Sequence, residues 1–245
     1  MKTFLNQNDI NRHQGKPAFI LGSGPSLHEL DFGLLRNGIT IAVNSAILKA
    51  PDSDYYFTCD FGMVVWKSWL TLRDLDCELL LYNVDVGFRY LEYLTNEDTF
   101  DGIDNDRITY FTFDDTDLIM RKDPTCQLIR GSTSTQAAVH FAHLMGCSPI
   151  VLLGCDCQYV DNKYHYYDYD GEEVDEVREE KYNNFKPRNL IVQEGDSNKY
   201  LKGHVACWQK IREANYHINI IDTSGGKLTM FRRRTLREVV ELYGC

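Results

Sequence analysis

No run of about 18 or more apolar residues occurs in the chain, so nothing in it reads as a transmembrane helix. The opening stretch Met1-Lys2-Thr3-Phe4-Leu5 lacks the apolar core of an export signal, and a soluble cytoplasmic protein is expected. Basic residues are in the minority: 26 Lys and Arg against 36 Asp and Glu leave a net charge of −10. That balance disfavours nucleic acid and anionic membrane surfaces as partners, although it leaves room for a small basic pocket. Zinc-type spacing is missing from the eight cysteines, because Cys155 and Cys157 form C-x-C and not paired C-x-x-C units. Most of them sit at or within apolar runs, which points to buried reduced thiols. There is no internal repeat and no low-complexity linker. A chain of 245 residues can bury one sizeable core, so a single domain over 1–245 is expected.

What the chain does have is an alternation of buried-looking strands and amphipathic helices. Apolar runs at 18–21, 40–43, 55–59, 78–82 and 150–153 read as strands covered on both faces. Residues 61–72 and 132–145 carry helical spacing, the second at Ala137, Phe141, Leu144 and Met145, with Gly146 as its stop. Helices at 205–215 and 235–243 and strands at 108–113 and 218–222 complete the pattern, after an irregular or helical lead-in over 1–14. Residues 161–198 are polar, acidic and rich in tyrosine without a period, which suggests a lid or acceptor-binding excursion. The fold class predicted is α/β, a Rossmann-like and mostly parallel sheet flanked by helices.

Two turns stand out. After the first apolar strand comes Gly22-Ser23-Gly24-Pro25-Ser26, where glycines permit a tight turn and close approach of backbone N–H groups to an anion. Ser26 is placed to cap the helical turn that follows. The third glycine of a dinucleotide fingerprint is missing, so the spacing fits either a phosphate cradle or an ordinary tight turn. The second is Arg130-Gly131-Ser132-Thr133-Ser134 ahead of a well-formed helix, where hydroxyls and N–H groups meet the positive end of the dipole. Taken alone, that turn is also a plain N-cap. Polar residues close several strands: Ser23, Asn44, Asp60, Asn83 and Asp156. In open α/β sheets ligands bind at that edge, near the topological switch point. His140, His143 and His217 read as structural, Arg232-Arg233-Arg234 as a solvated basic face, and Trp66, Trp69 and Trp208 as packing residues.

The order of Gly22-Ser23-Gly24-Pro25-Ser26-Leu27, Asn44, the Ser/Thr turn and Leu153-Gly154-Cys155-Asp156 resembles the small bacterial sialyltransferases of glycosyltransferase family 42. It is similar also to the broader group that contains the archaeal 6-hydroxymethyl-7,8-dihydropterin diphosphokinase. Tyr200-Leu201-Lys202-Gly203-His204 stands ahead of a helix, where the sialyltransferases carry their histidine segment. The chain is closer in detail to phage and bacterial members of the broader group, through Pro51-Asp52 before a strand ending at Asp60 and through Lys163-Tyr164-His165-Tyr166. It departs from the sialyltransferases at Ser23 and Asp60, where they have asparagine, and in the length of the Arg130 turn.

The resemblance implies inverting transfer of a sugar from a nucleotide-activated, CMP-linked donor to a glycan or other acceptor hydroxyl, with no metal or other cofactor. It implies His204 as general base, with Arg130 adding charge at the reacting centre. Gly22, Ser23, Gly24, Ser26, Asn44, Asp60, Ser132, Thr133, Ser134 and Asp156 would bind the donor, Tyr159 and Tyr164 its leaving phosphate, and His165 and Tyr167 the acceptor. Homo-oligomerisation is common among such relatives. The pterin enzyme supports a second reading, a diphosphokinase in which Asp60 and Asp156 hold Mg²⁺ beside a nucleoside triphosphate. A third is a nucleotide-binding protein without catalysis.

Overall fold

A computed structural model describes residues 3–60, 63, 67–83, 102–161, 163–166 and 194–245. The strands are β1 (Thr3–Phe4), β2 (Ala18–Leu21), β3 (Ile39–Val43), β4 (Tyr55–Thr58), β5 (Glu78–Tyr82), β6 (Ile108–Phe111), β7 (Phe113–Asp114), β8 (Leu128–Ile129), β9 (Ile150–Leu153), β10 (Ile220–Asp222) and β11 (Arg232–Arg233). The helices are α1 (Lys67–Thr71), α2 (Ser134–Leu144), α3 (Glu194–Ala214) and α4 (Leu236–Tyr243), with single 3₁₀ turns between several elements. Nine strands form one parallel sheet in the order β1-β6-β5-β4-β3-β2-β9-β10-β11, and β7 pairs with β8 beside it. The expected α/β architecture is therefore present.

The strands are apolar throughout because both faces of the sheet are covered. In β2, Ala18 and Ile20 enter the core on one face while Phe19 and Leu21 enter the core on the other. In β9 the same division separates Ile150 and Leu152 from Val151 and Leu153. Helix α2 fills the first face with Ala138, Phe141 and Ala142, joined by Trp208 and Ile211 of α3. Phe57 stacks on Phe111 there, with ring centroids 4.8 Å apart. The opposite face receives Leu27, Trp69 and, from α4, Leu236 and Val239. All eight cysteines are free, and Cys77, Cys126, Cys147, Cys155 and Cys245 are buried.

The chain lays down β2 to β6 outward on one side, then returns to place β9 against the other side of β2. The switch point thus falls between β2 and β9, and the loops leaving their C-terminal ends face each other.

Several expectations need correcting. The lead-in contributes an edge strand, since Thr3 and Phe4 pair with Thr109 and Tyr110, a two-residue contact too short to show periodicity. Strands β7, β8 and β11 escape pattern reading for the same reason. Helix α3 begins at Glu194, so 194–198 belong to it and not to the excursion, and His204 lies inside the helix instead of ahead of it. Gly203 lies within this helix, where a glycine costs only about 1 kcal/mol against alanine, which packing of α3 outweighs. Most of the predicted excursion, Tyr167 included, lies outside the described residues, as does much of the helix expected at 61–72. No helix among the described residues is long and apolar enough to cross a membrane.

Candidate active site

The switch point is closed by backbone. Gly22 N–H donates to Leu153 O at 2.8 Å and Gly24 N–H to Gly154 O at 2.7 Å. A Cβ on Gly22 would stand 2.6 Å from Gly154 O, and one on Gly154 2.5 Å from Gly22 O. Gly154 also has φ +61°, which favours glycine on its own account. The glycines here let two loops touch. Ser26 does not cap the following 3₁₀ turn, whose N-cap is Gly24. Its N–H and hydroxyl both donate to Asp156 Oδ2, at 3.2 and 2.9 Å.

Asp156 is 2% exposed. Burial pushes its carboxyl up to about 6, the two bonds from Ser26 hold it down in part, and the charge of Asp222 adds to the rise. Asp156 and the Gly226 backbone are also in close contact, and Lys227 N–H donates to Asp156 O at 2.8 Å. A buried carboxylate at a switch point is a common mark of a functional position.

A second group of polar residues runs along the same edge from β3 to α3. Asn44 follows β3 with φ +54°, and its Oδ1 accepts from Thr58 Oγ at 2.7 Å. Thr58 Oγ in turn accepts from Asp60 N–H at 2.9 Å. Cys59 N–H donates to Ser134 Oγ at 3.2 Å, which ties the end of β4 to the first turn of α2. Thr133 is the N-cap of that helix, whose first residue, Ser134, comes two residues after the start of the sequence pattern at 132. From α3, His204 Nδ1 lies 2.9 Å from Ser132 Oγ. Burial lowers its pKa, which favours the neutral ring. The fold brings Asn44, Asp60, Ser132, Thr133, Ser134 and His204 together.

Other predicted residues are placed differently. Arg130 is paired with Asp115, donates to Tyr82 Oη at 3.0 Å and lies 4.5 Å over the Phe113 ring, on the β5 side of the edge. The Asp115 carboxylate holds its pKa above the usual guanidinium value. Tyr159 and Tyr164 have ring centroids 5.4 Å apart, and His165 lies edge-on to Tyr164 at 4.2 Å. The neighbouring Tyr166 fastens this segment to the sheet: its N–H donates to Ser23 O at 2.9 Å and its hydroxyl to Ser45 O at 2.5 Å.

Thr58 and Gln136 were not singled out by the sequence, and Tyr166 entered only as the aromatic end of the Lys163-Tyr164-His165-Tyr166 motif, with no role of its own. Thr58 is the last residue of an apolar strand, and nothing in the motif shows that Tyr166 fastens to the loops after β2 and β3. Gln136 carried a usable signal, since a glutamine three residues after Thr133 completes a capping box. His140 is structural, as expected: Ile129 N–H donates to its Nδ1 at 2.9 Å and Nε2 faces Arg121 O at 2.8 Å.

A cavity of about 300 Å³ opens at the opposite, N-terminal edge, lined in part by Arg12, His13, Asp54, Tyr55 and Glu78. Several of its polar groups are already paired. Arg12 pairs with Glu78, Asp54 accepts from Thr40, and His13 Nε2 lies 2.8 Å from Tyr55 Oη. The C-terminal edge, where strand-end residues converge from separate elements, is the better candidate site.

A doubly covered parallel sheet with its chain reversal between β2 and β9 defines a Rossmann-like α/β protein. The chain belongs to the family described as 6-hydroxymethylpterin diphosphokinase MptE-like, whose profile matches residues 1–162. No curated protein matches the sequence. Among solved structures, the chain is similar to the MAf glycosyltransferase from Magnetospirillum magneticum AMB-1, with a TM-score of 0.53 and 12% identity over 96% of this chain. It spans 36% of the length of that protein. At this identity the likeness shows the fold.

Proposed function

We propose that the protein is a glycosyltransferase that moves a sugar from a nucleotide-activated, CMP-linked donor to an acceptor hydroxyl with inversion. The observation that carries this reading is His204 held 2.9 Å from Ser132 at the start of α2, on the edge that holds Asn44, Thr58 and Asp60. The acceptor O–H gives its proton to His204 as the oxygen bonds to the anomeric carbon. The bond from that carbon to the phosphate oxygen breaks, and its electron pair leaves with the nucleotide. The positive end of the α2 dipole lowers the cost of the charge that develops there. The glycosyltransferase that shares the fold supports the reaction class, and the order of motifs supports the CMP donor.

The family description favours a second reading, Mg²⁺-dependent phosphoryl or diphosphoryl transfer. Asp60 and Asp156 do not suit one shared ion. They follow β4 and β9, three strand spacings apart in the sheet, or about 14 Å. A single Mg²⁺ needs its oxygens within about 2.1 Å.

A melting-temperature panel of CMP, CDP, UMP, UDP, GDP and ATP, each with and without Mg²⁺, separates the readings. A nucleotide at 100 times its Kd stabilises by about 2.7 kcal/mol, a shift of a few degrees for a chain of this size. Stabilisation by CMP or CDP without metal is expected, followed by turnover of a CMP-sugar that His204→Ala lowers by about 10²–10⁴-fold. A shift with ATP and Mg²⁺ alone would transfer the assignment to phosphotransfer. Silence across the panel would remove nucleotide chemistry altogether.

A further inference from the structure

We propose that Gln136 is a positioning residue that sets the tautomer of His204 through Ser132. Gln136 is fully buried in the first turn of α2. Its Oε1 accepts from Ser132 N–H at 2.5 Å, from Ser132 Oγ at 3.1 Å and from Thr133 N–H at 3.3 Å. Two of these are backbone donors that cannot be turned round. The amide is therefore locked with oxygen towards the turn, because a flip would set NH₂ against N–H. The same lock leaves Nε2 without a hydrogen-bond partner among the described residues. An unsatisfied buried donor is costly, so an apolar side chain of this length would serve packing better. What the amide provides, and an apolar chain cannot, is the acceptor.

That acceptor decides where the Ser132 proton goes. A serine hydroxyl has one proton to donate and can accept others. Directed at Gln136, it leaves Ser132 Oγ as an acceptor towards His204, 2.9 Å away at Nδ1. His204 then carries its proton on Nδ1 and its lone pair on Nε2. Without Gln136, the hydroxyl is released to donate to Nδ1, and the ring proton moves to Nε2. For a base acting through Nε2 the first tautomer is competent and the second is not. Gly131 fits the same arrangement, since a Cβ there would lie 2.7 Å from Gln136 Cβ. The catalytic consequence rests on the reading of His204 as base; the tautomer itself does not.

The test is long-range ¹H–¹⁵N correlation of the histidine-labelled protein, above the ordinary imidazole pKa of about 6.5. Of the seven histidines, His204 is assigned by the pair of signals that His204→Gln removes. The wild-type chain is expected to show the Nδ1–H form. Gln136→Met should lose it in favour of Nε2–H, and Gln136→Glu, which keeps the acceptor, should restore it. An Nε2–H ring in the wild type overturns the proposal without any variant. So does a folded Gln136→Met with Nδ1–H intact. If CMP-sugar turnover is absent while the tautomer responds as expected, the functional reading fails and the positioning role stands.

Discussion

Asp156 is the residue where stability and site placement pull in opposite directions. Its carboxyl rises from 3.8 to about 6, chiefly through burial. Between those values the folded chain binds the proton more tightly than the unfolded chain. The stability it contributes is therefore present at low pH and lost as pH rises from about 4 to about 6. The shift corresponds to on the order of 2–3 kcal/mol. Asp156→Asn removes that dependence, so the unfolding free energy of wild type minus variant should fall by about this amount across the window and be flat above it. Urea titrations at a series of pH values read the difference. A difference independent of pH would mean that the carboxyl is not buried as charge. Asp222, raised in the same direction by its own burial, remains in both chains and largely cancels.

At the scale of elements, the interlock of the β2 and β9 loops is the join on which the edge depends. Gly154→Ala meets both a left-handed backbone and Gly22 O at 2.5 Å, and should cost at least about 3 kcal/mol or prevent folding. Gly225 has a similar φ, +74°, with nothing within 4 Å of its Cβ position. Gly225→Ala should therefore cost only about 1–2 kcal/mol, the backbone part alone. Equal losses at the two positions in chemical denaturation would show that the close approach adds nothing. Apolar elements of this kind were legible in the chain: β2, β5 and β9 fall where unbroken hydrophobic runs place them. The long α3 was legible only in its second half, because the polar start has no apolar period and Gly203 interrupts it.

For the whole molecule, the prediction concerns location. If the C-terminal edge binds the nucleotide, hydrogen exchange with the stabilising ligand should slow at 22–26, 44–45, 58–60 and 130–136. Amides at 12–13 and 76–78, beside the opposite cavity, should be unchanged. Protection confined to the second group would move the site across the sheet. The strand order explains why such distant segments share one edge: β4, β3, β2 and β9 are neighbours although 150 follows 58 by 92 residues.

The sequence by itself determined the covered parallel sheet, because strands buried on both faces have to be apolar at every position. It also marked the strand-end residues and His204 as chemically able. It could not say which of them share hydrogen bonds, since those partners are set by strand order and by where α3 returns. Whether Ser26 caps a helix or binds Asp156 was decided by β9 docking against β2. Whether His204 stands before a helix or within one, 2.9 Å from Ser132, was decided by α3 packing through Trp208 and Ile211. Local pattern records the burial of a segment; only the assembled sheet records what lies opposite it.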